Sequence, residues 1–319
     1  MQLILHLGMH KTGTSALQAF LRSHSEQLQQ QRVLYPTHGQ HHDGAHHHLW
    51  QALIDPNMTA EFARTIRTEA EEAPGQIDKI VLSSELLEKI GEDPNRRGSV
   101  PALLKAFDTV LVVYFVRNQA EVIQSIFKQW VKDDAVRLGQ GPADFLNVHR
   151  KQLYYSAYAK WWMRTAENVT FRAALYNGNW SHLWASFSEI TGIELDGANV
   201  SRIYNTSMDG ERLKLKHWLN RNVPESYIDF PLNQWLGRHF SSRPKTTLFR
   251  TRDEYQEFQD IYREENRLIT EIWGVEGLDE GRMSGAYFQT ASPQLVGRFR
   301  EKLQNDLTTK DSALLEFDF

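Results

Sequence analysis

The chain predicts an α/β fold: a three-layer domain with a central, mainly parallel sheet and a helical C-terminal part. Three observations predict it. Short apolar runs alternate with helix-like segments through the first half of the chain. The strongest run, Val110 to Val116, is seven apolar residues, which suits a strand buried on both faces. After Ser201 the pattern changes, and its clearest feature is a charged helix from Asp253 to Trp273.

The elements follow in order. Leu3 to Gly8 reads as a buried strand. Ser15 to Gln31 reads as one helix, with Leu17, Phe20, Leu21 and Leu28 near helical spacing. A polar, His-rich loop runs from Tyr35 to Ala45, and Thr59 to Glu72 reads as a surface helix closed by Pro74-Gly75. Lys79 to Ser83 is the second strand and Val110 to Val116 the third. A helix from Ala120 to Lys132 comes next, then an aromatic-rich helical stretch from Phe145 to Arg164. Val169 to Leu175 is a weaker fourth strand, and the helix Trp180 to Ile190 stops at Gly192. The expected organisation is a single domain, 1–319, with an α/β core in 1–200 and a mainly helical part in 201–319.

Composition excludes several function classes. The 319 residues contain no Cys, so disulfides, thiolate nucleophiles, iron–sulfur clusters and Cys-based zinc sites are ruled out. Lys+Arg 36 against Asp+Glu 40 gives a net charge of −4, so nucleic acid is not the expected partner and any anion site must be local. The longest apolar run falls far short of the ~20 residues of a membrane span. The start of the chain lacks the basic region of a signal peptide, and the expected location is the cytoplasm.

Two places carry chemistry. A strand ends at Gly8, the segment Met9-His10-Lys11-Thr12-Gly13-Thr14-Ser15 follows, and a helix begins. Strand, tight loop and helix start together favour phosphate, through backbone N–H groups and the helix dipole. Gly13 lets the backbone turn closely, Thr12, Thr14 and Ser15 add hydroxyls, Lys11 adds charge, and His10 either binds a phosphate oxygen or packs. Gly8 and Gly13 have the spacing of a Walker A loop, but Thr14 occupies the lysine position. The loop is therefore P-loop-like without being a Walker A motif. A plain helix start capped by Thr and Ser is the simpler alternative. The second place is Arg117, directly after the strongest strand, with Ser125 eight residues on. A guanidinium fork and a hydroxyl suit a second phosphate. A surface Arg and an ordinary helical Ser are the alternative.

Lys11-Thr12-Gly13-Thr14-Ser15 after the first strand, with Arg117 and Ser125 after the strongest, resembles the sulfotransferases that use 3′-phosphoadenosine 5′-phosphosulfate (PAPS). The resemblance runs from Met1 to about Gly192 and is nearest to bacterial sulfotransferase-domain proteins. It includes Val81 to Glu85 and Tyr155 to Trp162. It implies that His10 to Ser15 hold the 5′-phosphosulfate and that Arg117 and Ser125 hold the 3′-phosphate. It implies transfer of a sulfuryl group to an acceptor hydroxyl or amine, on a carbohydrate or small metabolite, with adenosine 3′,5′-bisphosphate as product and no metal required. It also implies that Lys11 stabilises charge on the leaving oxygen. Ala16 stands where many cytosolic members carry an adenine-stacking Trp, and Arg243-Pro244-Lys245 is a weak substitute for the Gly-rich C-terminal nucleotide loop.

The family uses Glu or His as base, and this sequence offers both. Glu85 follows the second strand on the crevice side, where a partly desolvated carboxylate suits proton removal. Its alternative role is electrostatic capping of the helix after it. His47 and His48 come next. They belong to a group with His41, His42 and His46 that reads as a solvated loop, a substrate contact or, without regular ligand spacing, a metal site. Tyr154, Tyr155, Tyr158, Trp161 and Trp162 are expected mostly in the core, with one or two lining an acceptor groove. Two other functions stay open: a P-loop nucleotide kinase or NTPase, and a non-catalytic nucleotide-binding protein on the same fold.

Overall fold

The computed structural model describes residues 1–8, 12–150, 153–195, 208–281, 283–306 and 313–317. His10 and Lys11 of the expected phosphate loop lie outside the described residues. In chain order the first elements are β1 (Gln2–Leu7), α1 (Thr14–Ser23), α2 (Ser25–Gln30), β2 (Val33–Leu34), α3 (His48–Ala52), α4 (Pro56–Glu72) and β3 (Lys79–Ser84). A 3-10 helix (Glu85–Glu92) follows, then α5 (Pro94–Arg97), α6 (Val100–Leu104), β4 (Thr109–Val116), α7 (Gln119–Lys132) and α8 (Pro142–His149). Next come α9 (Tyr155–Thr165), β5 (Val169–Leu175), α10 (Trp180–Thr191), α11 (Gly210–Asn222) and α12 (Leu232–His239). The last are β6 (Thr246–Thr247), α13 (Arg252–Asp260), α14 (Arg263–Trp273), β7 (Ala286–Tyr287) and α15 (Pro293–Asp306).

The chain forms two compact units that interleave in sequence. The first comprises Met1–Asn118, Tyr154–Tyr204 and Arg263–Asp279; the second comprises Gln119–Leu153, Asn205–Tyr262 and Glu280–Phe319.

The first unit is built on a five-stranded sheet of order β2-β3-β1-β4-β5, parallel throughout. Burial on both faces explains the apolar runs that mark its strands. Phe115 and Val113 join Ile4 in a core with Leu17, Phe20 and Leu21 of α1 and Leu183, Trp184 and Phe187 of α10. The alternate residue Tyr114 faces Tyr155 of α9, and Phe171 faces Trp273 of α14. Helices therefore cover both faces of the sheet. The register pairs Leu7 of β1 with Ser84 of β3 and with Tyr114 of β4. Gly8 and Glu85 thus leave neighbouring strands at the same level, while β4 runs two residues further to Val116. This alignment of carboxyl ends is where open α/β sheets bind ligands.

Several helices differ from their expected lengths. The expected helix Ser15 to Gln31 breaks at His24. There the Ser23 hydroxyl bonds to Phe20 O at 3.0 Å and His24 Nδ1 lies 3.0 Å from the same carbonyl, side-chain bonds that compete with the helical pattern. The expected helix Asp253 to Trp273 is two helices, α13 and α14, and the boundary between the units falls at the break. Its charged face is not solvated throughout. Glu265 is buried and accepts from Ser156 N–H at 2.6 Å and Ser156 Oγ–H at 2.8 Å, which anchors the start of α9. The stretch Phe145 to Arg164 likewise contains two helices, α8 and α9, of which Tyr155 and Trp162 are core residues. β2 and α3, absent from the expectation, are too short to leave a periodic signal.

The second unit packs Leu215 and Leu219 of α11, Trp235 and Leu236 of α12 and Phe299 and Leu303 of α15 into one cluster. β6 and β7 pair in parallel within it. Lys216, fully buried, pairs with Asp134, and Lys128 pairs with Asp209 at 2.7 Å. Ser125 lies on α7 of this unit and is half-buried.

Candidate active site

The loop between β1 and α1 is shaped by its two glycines. A β-carbon on Gly8 would lie 2.8 Å from Thr14 Oγ1 and 3.0 Å from Glu85 Cγ, so no larger residue fits. Gly13 has φ 81° and ψ 8°, a left-handed conformation that favours glycine, and its missing β-carbon faces Tyr176, Trp180 and Leu183. Gly13 O accepts from Ala16 N–H at 3.0 Å and Leu17 N–H at 3.2 Å, which starts α1. Thr12 and Thr14 are buried, and Ser15 is exposed at the helix mouth. The opening N–H groups of a helix point out along its axis, so the loop presents amide and hydroxyl donors together. Ala16 is buried in the core.

Glu85 starts the 3-10 helix beside the loop, its carboxyl side chain 15% exposed. Ser84 makes the side-chain cap of that helix, its Oγ accepting from Leu86 N–H at 3.3 Å, and Glu85 stands in its first turn, where an acidic group also suits the helix start. Glu85 Oε2 accepts from Gln18 Nε2 at 3.1 Å and lies 3.8 Å from His47 Nε2. His47 Nδ1 is 2.9 Å from Ser84 Oγ, and its Nε2 is also 3.7 Å from Asp43.

The His-rich loop is held against the end of β3. His46 Nε2 donates to Pro36 O at 2.9 Å while its Nδ1 accepts from Ser83 N–H at 3.2 Å, and His46 N–H donates to Ser83 O at 2.7 Å. Burial pushes His46 down to about 4, so it is neutral in this role. Tyr35 donates to Gly44 O at 2.7 Å; burial first, then the charges of Glu85 and Asp43, raise its hydroxyl far above the usual range. Arg22 donates to His42 O at 2.6 Å. The histidines divide by role: His46 is structural, His47 touches Glu85, and His48 is exposed at the start of α3. Among the described residues no group of three or more His, Asp or Glu side chains is placed to hold a metal ion.

Arg117 is half-buried at the end of β4. Its carbonyl accepts from Tyr155 Oη–H at 2.6 Å, and its guanidinium lies 5.7 Å from the ring centroid of Tyr176. Tyr176 N–H bonds to Val116 O at 2.7 Å, so the residue after β5 is fixed beside the residue after β4. The same ring faces Gly13. Sequence reasoning missed Tyr176 and Gln18. Each has a signal in retrospect: Tyr176 directly follows a strand, and Gln18 lies one helical turn after Thr14, on the same face of α1.

The strand ends of the first unit therefore bring together Thr12 to Ser15, Glu85 with His47, and Arg117. Ser125 belongs to the second unit, and Lys11 and His10 lie outside the described residues. Scanned against models of protein families and compared with curated proteins, the chain matches none of them.

Proposed function

We propose that this chain is a sulfotransferase that moves the sulfuryl group of PAPS to an acceptor hydroxyl or amine, on a carbohydrate or small metabolite. The observation that carries the reading is the convergence, on three adjacent parallel strand ends, of a glycine-bounded hydroxyl loop, a half-buried carboxylate and an arginine. The strand β4 is followed by Arg117 rather than by an acidic residue.

Thr12 to Ser15 hold the 5′-phosphate through hydroxyl and amide donors. Arg117 holds the 3′-phosphate. Glu85 accepts the acceptor's proton as the acceptor oxygen or nitrogen bonds to sulfur and the sulfur–oxygen bond to the 5′-phosphate breaks. Lys11 offsets the charge left on that oxygen. A sulfuryl group carries less negative charge than a phosphoryl group, so this reaction asks for alignment and a few fixed charges rather than a metal.

Calorimetric titration with adenosine 3′,5′-bisphosphate without metal, beside ATP with Mg²⁺, tests the reading. Tight binding of the bisphosphate, weak binding of ATP and transfer from labelled PAPS in an acceptor screen are the expected results. Preference for ATP with Mg²⁺ would replace this reading with a nucleotide kinase or NTPase. Bisphosphate binding without transfer to any acceptor would make the chain a non-catalytic nucleotide-binding protein.

A further inference from the structure

Gln18 is 1% exposed and carries no charge, yet its side chain spans from α1 to the end of β3. Its Nε2 lies 3.1 Å from Ser83 Oγ and 3.1 Å from Glu85 Oε2. An amide nitrogen has two hydrogens, and these two acceptors use both. The Ser83 end is rigid. Ser83 is buried, its N–H and C=O are both bonded to His46, and its Oγ is 2.8 Å from His6 Nδ1. With one hydrogen fixed on Ser83, the amide plane sets the direction of the other. That direction is the Glu85 carboxylate, whose Cγ lies 3.0 Å from where a β-carbon on Gly8 would stand.

We propose that Gln18 is a positioning residue for Glu85: it fixes the carboxylate relative to the phosphate loop, because Gln18 and Thr14 both belong to α1. The proposal rests on the transferase reading above. Three features separate this role from that of an ordinary buried glutamine. Gln18 donates to Oε2, which leaves Oε1 to take the acceptor's proton. Oε2 stays an acceptor whether or not Oε1 carries a proton, so the bond can be kept through the proton transfer. Gln18 also sits one turn beyond Thr14, so movement of the loop and movement of the base are coupled through a single helical turn. The Gln18 amide itself does not titrate, so it adds no proton-binding group of its own to the site. A carboxylate swinging through half a dozen rotamers would meet the acceptor proton only part of the time, and misplacement by about 1 Å costs up to ~100-fold in rate.

The test pairs kinetics with a spectroscopic readout on the full chain. In transfer from labelled PAPS, Gln18→Met is expected to lower kcat by roughly 10- to 100-fold, with the KM for PAPS and the affinity for adenosine 3′,5′-bisphosphate within about twofold of wild type. A kcat within twofold of wild type overturns the proposal, as does a loss carried by KM alone. The second readout needs no activity and no substitution at Gln18. In ¹H–¹⁵N spectra, one of the two Gln18 side-chain amide protons is expected to move upfield in Glu85→Leu, where its carboxylate acceptor is gone. An unmoved pair of resonances overturns the proposal. If the wild-type chain transfers sulfuryl to no acceptor, the functional reading falls, and the amide shift alone then decides whether Gln18 holds Glu85.

Discussion

Thr14 fills the space that a side chain on Gly8 would need: its Oγ1 lies 2.8 Å from where the β-carbon of residue 8 would stand. The end of β1 thus lies beside the first turn of α1, and a side chain at position 8 would require Thr14 or Glu85 to shift. Gly8→Ala is expected to push Thr14 and Glu85 apart. Overpacking of this kind costs ~1–3 kcal/mol, and the variant should also bind adenosine 3′,5′-bisphosphate more weakly. Gly98→Ala is the control, since a β-carbon there meets nothing within 4 Å. Thermal melts should show a lower midpoint for Gly8→Ala and an unchanged or slightly raised one for Gly98→Ala. Equal melts would mean that the strand end yields freely and that the glycine is not required.

Glu85 is the base in the proposed reaction, and its substitution separates chemistry from binding. Glu85→Gln keeps the size of the side chain and its contact with Gly8 but cannot take a proton. Transfer should fall ~10²- to 10⁴-fold, while calorimetry with adenosine 3′,5′-bisphosphate gives a wild-type affinity. His48→Ala, which alters an exposed ring, should leave transfer within a few-fold of wild type. A Glu85→Gln enzyme of normal rate would move the base to another residue, with His47 the first to examine.

Two buried histidines give the fold a specific response to acid. Burial pushes His46 down to about 4 and His6 down to about 3. In the unfolded chain both titrate near 6.5. Between these limits the unfolded state binds more protons, so stability is fully present above about pH 6.5 and is lost as pH falls towards about 4. The two residues together give a slope of up to ~2.7 kcal/mol per pH unit in the middle of this window. Urea denaturation at a series of pH values from 7.5 to about 4.5 should show this decline, and His46→Gln should flatten part of it. A wild-type curve that is level across the window would show that the two rings are protonated without unfolding.

The strands are legible from the amino-acid sequence because a parallel sheet buries both faces. Val110 to Val116 stands out by hydropathy alone and β4 matches it within one residue, while Val169 to Leu175, the weaker run, forms the less buried edge strand β5. Once the strands are placed, Glu85 and Arg117 follow, since each is the first residue beyond a strand. Helix ends are harder to read. The break at His24 depends on two side chains converging on one carbonyl, which leaves no periodic trace. The partners of Glu85 are harder still. His47 reaches it through a loop that folds back onto β3, and among five neighbouring histidines nothing local says which one faces the carboxylate, which one is buried and which one meets solvent. The interleaving of the two units is also invisible to a reading by segments, because α7 and α8 leave the sheet for a unit whose other helices come much later in the chain.

The role of Arg117 makes a prediction about which phosphate it reads. Its guanidinium is placed on Tyr176, the ring that also faces Gly13, and its backbone is tied to Tyr155. If the fork holds the 3′-phosphate, Arg117→Ala should sharply weaken binding of adenosine 3′,5′-bisphosphate and leave binding of adenosine 5′-monophosphate nearly unchanged. Charge-assisted bonds of this type contribute ~1.5–3 kcal/mol each, so the loss should be at least tenfold. Arg117→Lys should recover only part of it, because an ammonium cannot make the two parallel bonds of the fork. Calorimetry with both nucleotides on the three proteins decides the matter. An equal loss for both nucleotides would mean that Arg117 acts on the 5′-phosphate or on the loop through Tyr176, and the 3′-phosphate would then need another partner.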